Sequence, residues 1–130
     1  MSHDRSVVRG IATLMIIEAA TLAVASILHL SGDVHGSAPF DADHAGMAEA
    51  IIGIVLVGAA ITMFRVPARA RAVGLAGNGF AVVGFLVGLN FTARGGDLPD
   101  VAYHLTVLPF LIGSLILLLR ARPPRLAPTA

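Results

Sequence analysis

The chain has 130 residues, of which 56% are hydrophobic and 13% charged, and its mean hydropathy is +0.84, whereas soluble domains carry about 25% charged residues. Small domains have proportionally more surface to cover with polar groups, so this composition excludes a water-soluble globule and makes lipid the natural solvent. A net charge of +1 and the lack of cysteine exclude a basic nucleic-acid surface, disulfides and Cys-ligated metals, leaving His, carboxylate or carbonyl groups to hold any ion.

Crossing a hydrocarbon layer of about 30 Å takes about 20 apolar residues, and four runs meet that length. They extend from Ile11 to Leu30, Ala45 to Phe64, Ala72 to Phe91 and Val101 to Leu119. The connections at 31–46, 65–71 and 92–100 carry Gly, Pro, Asp and Arg, and short links make sequential helices antiparallel neighbours. The expectation is an all-α polytopic membrane protein, an antiparallel four-helix transmembrane bundle over residues 1–120. A disordered cytoplasmic tail is expected over 121–130.

Arginine predicts the orientation. Arg5 and Arg9 precede the first span, Arg65, Arg69 and Arg71 follow the second, and Arg120, Arg122 and Arg125 follow the fourth, with Arg94 alone on the other side. The positive-inside rule then places both termini in the cytoplasm and the chain in the plasma (inner) membrane. An Arg-bearing start followed by Ala23-Val24-Ala25 also has the outline of a secretory signal, but Glu18 interrupts the run and the apolar stretch continues past it, which favours a span.

In the first span Glu18 lies about 12 Å from the inner edge at 1.5 Å per residue. An ionisable group there costs roughly 2.5 to 3.5 kcal/mol and needs a partner, a water cavity or a function; Asn78 and Thr21 are candidate partners. His29 follows eleven residues later, within about 20° of the same direction and about 16 Å away, with Leu22 and Ala25 between. That face is expected to turn inward.

His44 and Glu49 open the second span. They are separated by about 140° of helix rotation, so they do not both face one ion unless His44 precedes the helix. Glu49 shares its face with Gly46, Gly53 and Leu56, and small residues admit a neighbouring helix closely. Asp41 or Asp43 is a natural cap for this span, and Asp100 for the fourth, behind Pro99. The third span holds Gly74, Gly77, Gly79, Gly84 and Gly88, packing surfaces within the bundle or between two copies in a homodimer. Asn90 closes that span, Tyr103 and His104 open the fourth, and Pro109 kinks it. Shifting the chain by 60 positions superposes Pro39 and His44 on Pro99 and His104 and sets Glu18 opposite Asn78, the outline of a parallel repeat of two hairpins.

Three functional readings follow. The first is binding of a small lipophilic or ionic ligand at the outer helix ends by Glu18, His29, Glu49, Asn90, Tyr103 and His104. In this reading His29, His44 and His104 are the candidate ligands of a metal ion or haem, since imidazole suits Zn, Cu, Fe and Ni. The second is a membrane-embedded enzyme in which Glu49 and His104 act as acid and base on a lipophilic substrate. The third is a proton-coupled transporter using Glu18. One glutamate in the first of four spans resembles the small multidrug resistance transporters, but a chain with no Trp and one Tyr lacks the aromatic walls that hold cationic drugs, and the chain is assigned to no family.

Overall fold

The computed structural model describes residues 2–34 and 42–121. They form four helices, α1 (Ser2–Ser31), α2 (Ala42–Arg65), α3 (Ala70–Thr92) and α4 (Leu98–Arg120), and no strand occurs among the described residues. Each helix is long and apolar enough to cross a membrane. The protein is a multi-pass membrane protein built as a four-helix bundle. α1 starts at Ser2 rather than Ile11, because backbone hydrogen bonding carries a helix past the point where the apolar run begins. The capping role expected of Asp41 and Asp43 falls outside the described side chains.

Each helix buries a stripe stepped by threes and fours, the spacing that keeps one face toward its neighbours. In α1 the stripe runs through Ile11, Met15, Glu18, Leu22, Ser26 and His29, and in α4 through Asp100, His104, Val107, Leu111, Ser114 and Leu118. Other large apolar side chains point the opposite way: Ile54, Val83, Leu105 and Phe110 are exposed, as expected where lipid is the solvent.

α1 packs along α2, α2 against α3 and α3 along α4, while α1 meets α4 only sparsely. That thin seam is crossed by a hydrogen bond between the Thr21 and Tyr103 hydroxyls at 3.0 Å. Elsewhere the helices approach closely: a Cβ on Gly77 would stand 2.6 Å from the Ala59 Cβ, and the Ser26 hydroxyl donates to the Gly46 carbonyl at 2.7 Å. Within α3, Gly74, Gly77, Gly84 and Gly88 all face neighbouring helices of the same chain, whereas Gly79 faces open space.

Helix ends are closed by specific devices. α1 stops at Gly32, whose φ of 81° suits a residue without Cβ. Its N–H bonds the His29 carbonyl at 3.1 Å and the Asp33 N–H bonds Leu28 at 3.0 Å, the paired pattern that satisfies the last carbonyls of a helix. At the arginine-rich end, Arg71 donates from Nε and Nη2 to the carbonyls of Leu118 and Leu119 at 3.0 and 3.2 Å. A cation there also complements the negative end of the α4 dipole.

Candidate functional site

At the end of the bundle away from Arg65 and Arg71, four titratable side chains converge from three helices. His29 of α1, Glu49 of α2, and Asp100 and His104 of α4 are 3%, 6%, 5% and 8% exposed. His29 comes to this place because the inward stripe of α1 ends on it one turn before the Gly32 stop. Asp100 and His104 are the first two members of the α4 stripe.

His29 Nδ1 lies 2.9 Å from Glu49 Oε2 and 3.2 Å from the Ala25 carbonyl. Both neighbours accept, so a ring hydrogen belongs on Nδ1, and in the neutral imidazole Nε2 carries a lone pair. That Nε2 is 3.9 Å from Asp100 Oδ2. His104 Nδ1 donates to the Asp100 backbone carbonyl at 2.9 Å, with Asp100 Oδ1 at 3.1 Å. Its Nε2 then points at Gly88, where a Cβ would collide with it. The α3 glycine is thus the space that the His104 ring occupies.

Four buried atoms of this group have no hydrogen-bond partner: His29 Nε2, Glu49 Oε1 and both Asp100 carboxylate oxygens. The three carboxylate oxygens are acceptors, and Nε2 of a neutral imidazole is a fourth. Burying acceptors without donors is costly, and burying two carboxylates beside neutral imidazoles, with no cation to balance them, more so. The positive N-terminal end of α4 offsets part of the Asp100 charge, by about 1 kcal/mol. His29, Glu49 and Asp100 each offer one ligand atom, and these atoms lie within 4.8 Å of one another.

In front of the cluster a cavity of about 320 Å³ lies between α2 and α3, walled mainly by Ile51, Ile52, Phe80, Val83, Val87 and Phe91, with His29, Glu49, Asp100 and His104 at its polar end. Tyr103 stands behind the cluster, its ring centroid 5.9 Å from that of His104 and 5.7 Å from that of Phe85. It is within electrostatic reach of Glu18, Glu49 and Asp100.

The remaining residues singled out in the sequence lie elsewhere. His44 and Asn90 are exposed on α2 and α3 and take no part in the cluster. The correspondence of His44 with His104 therefore does not extend to their surroundings, one imidazole being exposed and the other buried. Glu18 is buried on the same face of α1 as His29, but neither of its oxygens has a partner. Asn78 donates to the Leu111 carbonyl at 2.9 Å, and Thr21 to the backbone carbonyl of Glu18 at 2.8 Å. Asp100 is the residue whose role differs most from expectation. The helix is capped at Asp97, without a side-chain capping hydrogen bond, and Asp100 sits in the first turn with its carboxylate turned inward. Extending the stripe of Leu118, Ser114, Leu111 and Val107 backward in threes and fours reaches His104 and then Asp100, which is the sequence signal for that placement.

Comparison with family models, with curated proteins and with solved structures finds no significant match.

Proposed function

We propose that this membrane protein binds one divalent transition-metal ion between α1, α2 and α4, with His29 Nε2 and the carboxylates of Glu49 and Asp100 as its protein ligands. The observation that carries the reading is that His29, Glu49 and Asp100, from three helices, each offer a ligand atom within 4.8 Å of the others, in a group that also holds buried polar atoms without a hydrogen-bond partner. A dication balances two carboxylates and a neutral imidazole. One nitrogen and two carboxylate donors suit Zn²⁺, Mn²⁺ or Fe²⁺. His29 donates its other ring N–H to a carboxylate and a carbonyl, as metal-bound imidazoles do, and His104 steadies Asp100 from behind. Haem fits less well, since His29 Nε2 faces a carboxylate 3.9 Å away and His104 Nε2 faces the Gly88 backbone, with no space for a macrocycle in front of either. By the arginine distribution the site lies on the exoplasmic side of the plasma membrane, with both termini cytoplasmic.

Elemental analysis and calorimetric titration of the purified protein with Zn²⁺ and Mn²⁺ test this. One ion per chain is expected. His29→Ala should weaken binding by more than the roughly 10- to 100-fold that loss of an outer-shell partner costs. Metal content that is unaltered in both His29→Ala and Glu49→Gln refutes the assignment.

A further inference from the structure

An ion site alone does not account for the space that leads to it. The cavity extends along α3 from Phe80 to Thr92, about 18 Å at 1.5 Å per residue, far more than an ion needs. Its outer wall is formed by Ile51, Phe80, Val83 and Val87, all exposed on the flank of the bundle. On a chain that crosses the membrane this flank meets acyl chains, so the cavity opens sideways into lipid. Its volume of about 320 Å³ lies at the lower end of the range for ligand pockets, and holds on the order of ten non-hydrogen atoms at about 30 Å³ each. Phe80, Phe85 and Phe91 line it, flat faces against which a ring packs. The polar lining comes from His29, Glu49, Thr92, Asp100 and His104, and the unpartnered carboxylate oxygens of Glu49 and Asp100 are acceptors.

We propose that the cavity admits, laterally from the bilayer, a membrane-dissolved amphiphile whose head is a hydroxylated aromatic ring, of the alkylphenol or alkylhydroquinone type. The ring packs among the phenylalanines, the alkyl tail leaves past Ile51 and Val83, and the hydroxyl meets the lone pairs of Glu49 and Asp100 or an open position on the ion beside them. The proposal deepens the metal reading and rests on the same cluster. An acyl chain entering alone would leave every acceptor unmet.

The test is binding of 4-decylphenol and of decylbenzene to the full chain in nanodiscs, followed by ligand-observed NMR, with metal content measured on the same samples. Saturable binding of the phenol, at least about tenfold tighter than the hydrocarbon as one hydrogen bond to a charged group implies, is expected. Val83→Trp and Ile51→Trp, each at an exposed position of the mouth, should both abolish it while metal binding persists. Equal binding of the two probes would make the cavity a hydrocarbon groove and overturn the proposal, as would phenol binding untouched by both tryptophans. Wild-type protein that binds metal but not the phenol overturns this inference alone; protein that saturates with the phenol but takes up no metal upholds it and removes the metal reading.

Discussion

Replacing Asp100 by Asn separates a metal ligand from a structural anion, because the two roles predict opposite signs. The substitution keeps the size of the side chain and removes one charge. When Glu49 and Asp100 are both ionised and the imidazoles neutral, ligand oxygens as far apart as 4.8 Å repel by about 3 kcal/mol at an effective dielectric of about 20. The α4 dipole offsets about 1 kcal/mol of the burden on Asp100, and the asparagine amide also brings two donors to a group of acceptors. Without metal, Asp100→Asn is therefore expected to stabilise the fold by about 1 to 3 kcal/mol. With metal, loss of one charged ligand should weaken binding by at least about a hundredfold. Unfolding titrations in SDS, once with chelator and once with excess Zn²⁺, read both effects on one sample. Destabilisation of the chelated protein would refute the reasoning, since it would mean that Asp100 serves as the partner of a protonated His29 or His104 and not as a waiting ligand.

Two further substitutions act through packing. Gly88→Ala places a methyl group on His104 Nε2 and so displaces the ring from Asp100; metal affinity should fall by about 10- to 100-fold with helix content unchanged by circular dichroism, and an unaltered affinity counts against His104 as the support of Asp100. Gly77→Ala, whose new Cβ would lie 2.6 Å from that of Ala59, forces α2 and α3 apart near mid-bundle. It should cost about 1 to 3 kcal/mol of stability and leave metal affinity untouched, so a stability equal to the wild type would show that this helix contact is looser than its geometry implies.

The arrangement separates two kinds of buried polarity. Asn78 and Ser26 hold helices together through backbone carbonyls and each has a donor placed on an acceptor. The His29, Glu49 and Asp100 group has one such contact, from His29 Nδ1 to Glu49 Oε2, and leaves four further buried atoms without a partner. Lipid on the outside makes those atoms conspicuous, because there is no water to satisfy an unpaired group and insertion of each charge is costly. Glu18, with both oxygens unpartnered deeper in the same face of α1, belongs with the second kind, and the Tyr103 hydroxyl lies within electrostatic reach of both.

The sequence alone determined the solvent, the number of spans and the orientation expected from arginine, because those depend on the length of apolar runs and on charge in the loops, both local properties. It also determined that Glu18 and His29 share an inward face, since helical periodicity within one element needs no partner. Only the tertiary structure decided which polar groups meet. Asp100 reads locally as a helix cap, Asn90 and His44 read as pocket residues, and Gly88 reads as a packing surface; rotation of each helix about its axis, set by close contacts such as Gly77 with Ala59, turns Asp100 inward, Asn90 and His44 outward, and makes Gly88 the seat of the His104 ring. Contacts among residues from three helices are non-local, and nothing in any single helix specifies the angle at which its neighbour will stand.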